Sequence, residues 1–128
     1  LLYDGQDVAL LAVGRMTSVA VKARDLLRKR GISAAVADLR FAKPLDEKLI
    51  LQLAQKTGFV VSLEDGTCCG GVGERIAALL RDLSCRMLIK SFPDEFVCQG
   101  KTTILFQKYR MDAESIAQEI LGQMELRA

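Results

Sequence analysis

The sequence contains no histidine and no tryptophan, and its aromatic content is only 5%. Without histidine, a serine or cysteine has no evident imidazole base to activate it, and a zinc site lacks one of its usual ligands. The low aromatic content leaves aliphatic side chains to build the core, and 50% of the 128 residues are hydrophobic. The composition therefore favours an ordinary globular core and argues against a self-contained catalytic centre.

Long hydrophobic runs and strong charge bias are also missing. The most hydrophobic early run, Val8 to Val13, is far shorter than the roughly 20 residues that a transmembrane helix needs. The net charge is +2 and the charges are interleaved, without a groove-reading motif, so we expect neither a nucleic-acid nor a membrane partner. The four cysteines form no CxxC pair: Cys68, Cys69, Cys85 and Cys98. Because a domain with an ample core does not need a disulfide framework, we expect none and predict a cytoplasmic location.

Apolar runs alternate with amphipathic stretches along the chain. The length predicts one domain over residues 1–128. Runs typical of buried strands are Val8 to Val13, Ile32 to Leu39, Phe59 to Leu63 and Met87 to Ile89. This alternation, with short connections, predicts an α/β sandwich in which helices cover both faces of a mainly parallel sheet.

Helix ends are marked by glycine and aspartate. Gly31 and Gly58 are placed to end helices, whereas Asp46 and Asp112 are placed to cap the start of the next ones. Between the last strand and the final helix, the pattern predicts a turn at Phe92-Pro93-Asp94 and a short helix over Thr102 to Tyr109.

A glycine-rich stretch, residues 66–73, lies between a predicted strand and a predicted helix. Its spacing fits neither phosphate cradle: Ile76 stands where a dinucleotide loop needs glycine, and Glu74 follows Gly73 where a Walker loop needs lysine. Anion binding by backbone N–H groups and close packing of the backbone both remain open. We favour close packing, because Glu74 would repel a phosphate.

Two further groups of polar residues lie at predicted strand ends. Glu64 and Asp65 are adjacent and point to opposite faces, so a solvated strand end or a cap for the glycine turn is favoured over an acid–base pair. Glu64 alone is a candidate to reach across an interface. The stretch Arg40-Phe41-Ala42-Lys43-Pro44-Leu45-Asp46 forms a basic and aromatic corner, which favours an inter-domain salt bridge over a phosphate site.

Several of these segments together resemble the C-terminal domain shared by transketolases, deoxyxylulose-phosphate synthases and 2-oxoacid dehydrogenase β subunits. They are the opening Asp7 to Gly14, Gly31 to Val36, Arg40 to Asp46, Glu64 to Gly66 and Gly70 to Gly73. Within that group, Phe92 to Val97 and Met111 to Ala117 look most like the synthases. The sequence departs from the synthase pattern at Gln99, where a histidine is common, and at Thr67-Cys68-Cys69, which replaces an alanine-rich loop.

The resemblance implies a three-layer α/β/α sandwich with a five-stranded, mostly parallel sheet. One edge strand would be antiparallel, and Leu1 to Tyr3 would be its remnant. The parent enzyme would use thiamine diphosphate and Mg. Two preceding domains would hold them, and these domains would be paired in a homodimer. No catalytic, cofactor-binding or metal-binding residue is expected in this chain, which would catalyse nothing alone.

The role implied for this domain is to pack against the catalytic domains and to stabilise the dimer. The candidate interface residues are Arg40, Phe41, Lys43, Pro44, Glu64, Gly70, Gly71 and Gly73. Two alternatives are the C-terminal domain of a transketolase or of a 2-oxoacid dehydrogenase β subunit, and a free-standing binding module.

Overall fold

The sheet of the molecule is parallel. The structure is a computed structural model that describes residues 1–39, 46–67, 71–92 and 110–127. In these ranges the strands are ordered β2-β1-β3-β4, and each neighbouring pair is parallel. The strands are β1 (Val8–Ala12), β2 (Ala34–Asp38), β3 (Phe59–Thr67) and β4 (Arg86–Phe92).

Helices cover both faces of this sheet. Those within the described ranges are α1 (Met16–Lys29), α2 (Glu47–Thr57), α3 (Val72–Leu80) and α4 (Ala113–Arg127). Alternate residues of β1 point to opposite faces: Leu10 packs in the core under α1 and α4, and Leu11 packs in the core under α2 and α3. The predicted sandwich with helices on both faces is confirmed. No helix of the described ranges is both long and apolar enough to cross a bilayer.

The predicted helix boundaries are confirmed where the structure describes them. The Asp46 carboxylate accepts a hydrogen bond from the Leu49 N–H at 3.2 Å, and the Asp112 carboxylate accepts one from the Ser115 N–H at 3.1 Å. Gly58 ends α2 with a φ of +70°, a conformation that glycine adopts without strain. Of the turn predicted at Phe92-Pro93-Asp94, Phe92 is the last residue of β4 and the other two residues lie outside the described ranges. The helix predicted at Thr102 to Tyr109 also lies outside them.

The antiparallel edge is shorter than expected. Tyr3 forms an isolated antiparallel bridge with Val36 of β2, so the described sheet has four strands and one bridge where five strands were expected. A Cβ atom added to Gly5 would lie 2.3 Å from the carbonyl carbon of Ala34, so this residue packs directly on the backbone of β2.

Polar contacts attach α4 to β4. The Lys90 ammonium contacts the Glu119 carboxylate at 2.7 Å, and Lys90 is only 9% exposed. One turn further along α4, Arg86 donates to the backbone carbonyl of Gln123 and to its side-chain oxygen. Residues four apart on the strand therefore contact residues four apart on the helix.

Candidate functional site

In the sequence, the predicted interface residues follow β2, lie in the last part of β3, or follow β3. The structure describes three of them, Glu64, Gly71 and Gly73, and brings Glu64 and Gly73 together. The others lie outside the described residues: Arg40, Phe41, Lys43, Pro44 and Gly70. The geometry of the site is therefore that of the end of β3 and the start of α3.

Glu64 acts at the start of α3. Its side chain lies near the end of β3, where the residue is 9% exposed, and its Oε1 accepts a hydrogen bond from the Gly73 N–H at 3.4 Å. A carboxylate is favourable there, because the first N–H groups of a helix lack partners within the helix and carry partial positive charge. The role of Glu64 as a cap for the glycine turn is confirmed, and its role at an interface stays a prediction.

Gly73 allows α3 to approach the sheet closely. A Cβ atom at this position would lie 2.6 Å from Cγ2 of Ile89 and 2.8 Å from Oγ of Ser62. The close packing favoured for the glycine-rich stretch is confirmed at this residue. Gly71 is different: its φ of −83° and ψ of 179° describe an extended backbone that any residue adopts.

Asp65, the neighbour of Glu64, has a separate partner. Its Oδ2 contacts Nε of Arg15 at 2.6 Å, and both side chains are exposed. Arg15 immediately precedes α1, so the ion pair joins the segment that follows β1 to the end of β3. Sequence reasoning missed Arg15. The signal available was its position just after β1, because the carboxyl ends of neighbouring parallel strands meet at one edge.

The two carboxylates thus have different partners and do not form an acid–base pair. Within the described ranges, no group of three or more histidine, cysteine, aspartate or glutamate side chains is arranged to hold a metal ion. The Glu64 carboxylate occupies the start of α3, where a diphosphate would need free N–H donors. The start of α3 therefore does not fit a diphosphate, and the carboxylates of Glu64 and Asp65 serve contacts within the fold.

The parallel sheet with helices on both faces defines an α/β domain. A family model described as "Transketolase, C-terminal domain" matches residues 1–116. The chain belongs to this transketolase C-terminal domain family, as the resemblance of its sequence predicted.

Two curated proteins that are similar to this chain carry the name of one enzyme of the group. The chain is 43% identical over 122 residues to the 1-deoxy-D-xylulose-5-phosphate synthase of Caldanaerobacter subterraneus subsp. tengcongensis, covering 94% of this chain and 20% of that protein. It is 38% identical over 124 residues to the synthase of the same name from Syntrophomonas wolfei subsp. wolfei, covering 95% and 19%. The chain thus spans about a fifth of the length of these relatives.

Solved structures share the fold. One described as "Split gene transketolase, inactive beta4 tetramer" matches with a TM-score of 0.91 and 29% identity, covering 100% of this chain and 42% of that chain. A transketolase from Campylobacter jejuni subsp. jejuni matches with a TM-score of 0.65 and 16% identity, covering 94% of this chain and 17% of that chain. The second likeness concerns the fold alone.

Proposed function

We propose that residues 1–128 form the C-terminal domain of a thiamine-diphosphate-dependent 1-deoxy-D-xylulose-5-phosphate synthase. In this proposal the domain packs against the preceding catalytic domains and stabilises their homodimer in the cytoplasm. The parent enzyme joins pyruvate and glyceraldehyde 3-phosphate with loss of CO2, and so supplies precursors of isoprenoids and thiamine. Thiamine diphosphate and Mg are held by the other domains.

The observation that carries the structural role is the use of polar groups at the carboxyl edge. Glu64 turns inward to the Gly73 N–H, and Asp65 pairs with Arg15. In open α/β sheets this edge is where ligands usually bind. An edge whose described carboxylates already have partners in the same domain is better suited to contact a protein surface than to bind a small substrate.

The choice of parent enzyme is supported by the curated relatives. Both relatives described above carry the synthase name, and each matches more than nine-tenths of this chain. Their much greater length supports a parent in which other domains carry the chemistry.

The docking role is tested by Gly71→Trp in the full-length polypeptide. Gly71 has a backbone conformation open to any residue, so a bulky side chain there obstructs the edge without backbone strain. We expect loss of the dimer in analytical ultracentrifugation and at least a tenfold loss of synthase activity, because a misplaced domain disturbs positioning of the catalytic groups.

The matched control is Gly122→Trp, which adds the same side chain at an exposed position of α4 where a Cβ atom would meet nothing within 4 Å. This control should keep both the dimer and the activity. Unchanged dimerisation and activity of Gly71→Trp would contradict the docking role. A full-length protein that forms no deoxyxylulose phosphate from the two substrates would contradict the choice of parent.

A further inference from the structure

The first residues of the chain lie along the outer edge of β2. From Leu1 onward, the chain runs from the carboxyl edge of the sheet toward the opposite edge. The Leu2 N–H donates to the Val36 carbonyl at 2.8 Å, and the Val36 N–H donates to the Tyr3 carbonyl at 2.9 Å. Because this pairing is antiparallel, each step back from Tyr3 moves toward the carboxyl end of β2. Leu1 therefore lies on the side of the sheet where Glu64 and Gly71 are found.

Side chains on opposite faces hold residues 1–5, which we name the edge segment. The Tyr3 ring lies under the guanidinium of Arg24 in α1, 3.9 Å from it. The next residue, Asp4, contacts the ammonium of Lys56 in α2 at 2.5 Å. Successive side chains of an extended segment point to opposite faces, so the edge segment is attached to both helical layers.

Gly5 provides a third attachment, through its backbone. It is buried, and a Cβ atom there would lie 2.3 Å from both the carbonyl carbon of Ala34 and the amide nitrogen of Ala35. These are backbone atoms of β2, which cannot move aside as the tip of a side chain can. Only glycine fits this contact, so the position of the edge segment depends on this residue.

The edge segment also presents apolar surface. Within the described ranges, the large hydrophobic residues that are exposed are its first three: Leu1 is 58% exposed, Leu2 49% and Tyr3 39%. Consecutive exposed apolar side chains beside a sheet edge are typical of a contact surface. This surface lies toward the same edge as the candidate interface.

We propose that the edge segment is a fixed junction, which presents Leu1 and Leu2 to the catalytic part of the same polypeptide at the carboxyl edge of the sheet. The occupant follows from chain length: the family is one of C-terminal domains and the chain spans about a fifth of its relatives, so in the proposed parent enzyme the remaining polypeptide precedes it. This inference rests on the proposed function. The inference adds that the covalent junction and the docking face lie at the same edge of the sheet. The direction in which the chain enters the domain is then fixed relative to that face.

The test is Gly5→Ala in the full-length polypeptide, with Gly122→Ala as the control. The added methyl group must displace the edge segment, whereas at Gly122 it meets open space. We expect amide exchange at Val36 to rise at least about tenfold and a protease to cleave within residues 1–6. The Leu10 and Val61 amides in the core should exchange as in the unaltered protein. In the control, exchange at Val36 and cleavage within residues 1–6 should not increase.

A milder pair of variants serves if Gly5→Ala fails to fold. Lys56→Gln removes the partner of Asp4, and Lys22→Gln changes an exposed lysine of α1. We expect amide exchange in the edge segment to rise by roughly 1.5- to 5-fold for Lys56→Gln, the range for an exposed ion pair, and not at all for Lys22→Gln.

The outcomes separate this inference from the proposed function. If the unaltered protein is a synthase but is cleaved within residues 1–6 as fast as Gly5→Ala, the fixed junction is overturned and the proposed function stands. If the junction is protected as expected but the protein has no synthase activity, the junction is supported and the proposed function fails.

Discussion

Gly73 sets how closely α3 approaches the sheet. For Gly73→Ala we expect the free energy of unfolding to fall by about 1–3 kcal/mol, because the methyl group would overlap Ile89 and Ser62. Chemical denaturation monitored by circular dichroism measures this change. The same substitution at Gly122, in an exposed part of α4, should be neutral or should raise stability by up to about 1 kcal/mol.

Ser62 gives this prediction a second measurement. Its buried hydroxyl oxygen has no hydrogen-bond partner in the part of the chain that the structure describes, so Ser62→Ala should cost little by itself. In the double variant, Ser62→Ala removes one of the two overlaps, and the combined loss should be smaller than the sum of the single losses. Strict additivity would show that the cost of Gly73→Ala arises elsewhere, for example in the hydrogen bond to Glu64.

At the same scale, the sequence predicted that this glycine packs closely but not which atoms it meets. The glycine-rich stretch and the acidic Glu74 were enough to favour packing over phosphate binding. The partner Ile89 comes from β4, and its proximity depends on β4 pairing with β3. Sequence spacing alone contains no information on that pairing, so the contact could not be predicted.

Among the elements, boundaries set by caps were predictable and boundaries set by pairing were not. Asp46 and Gly58 mark the ends of α2 through local hydrogen bonding and backbone conformation. In contrast, β3 was predicted to end at Leu63 and continues to Thr67, because β4 lies beside it and pairs Thr67 with Phe92. Because Glu64 and Asp65 are polar, a prediction based on hydrophobic runs ended the strand before them.

The attachment of α4 to β4 gives an element-scale prediction. For Glu119→Gln we expect a loss of roughly 2 kcal/mol in unfolding free energy, because the nearly buried Lys90 ammonium loses its counterion. Thermal and urea denaturation measure the loss. Replacing both partners with apolar residues, Lys90→Met and Glu119→Leu, should recover most of it, since neither charge then remains.

An exposed ion pair provides the control for this prediction. Arg81 and Asp82 are 4.0 Å apart with side chains 79% and 93% exposed, and Asp82→Asn should change stability by less than about 0.5 kcal/mol. If Glu119→Gln changes the unfolding free energy as little as Asp82→Asn does, the contact between Lys90 and Glu119 does not hold α4 on the sheet.

For the whole molecule, the fold class followed from the alternation of apolar runs and helical stripes, but the strand order did not. The order β2-β1-β3-β4 brings Arg15 to Asp65 and the edge segment to Val36. These contacts join residues far apart in sequence, and each depends on which strands are neighbours. The resemblance to the family implied the sandwich and its antiparallel edge without naming these partners.

The arrangement of two helical layers on one sheet raises the question of whether the layers unfold together. Leu10 and Leu11 are adjacent, fully buried, and belong to opposite cores. Each leucine-to-alanine substitution should lower the unfolding free energy by about 2–5 kcal/mol. Because both cores share the backbone of β1, we expect either substitution to shift one common transition rather than to loosen one layer only.

Methyl NMR in increasing urea distinguishes these cases, since Ile116 reports on the core under α1 and α4 and Ile76 on the core under α2 and α3. In Leu10→Ala and in Leu11→Ala, both methyl groups should lose their native signals at one midpoint. The proposed docking by the sheet edge needs this coupling, because a loosened layer would displace the strand ends that form the edge. Separate midpoints, with the layer nearer the substitution melting first, would show that the sheet does not couple the layers.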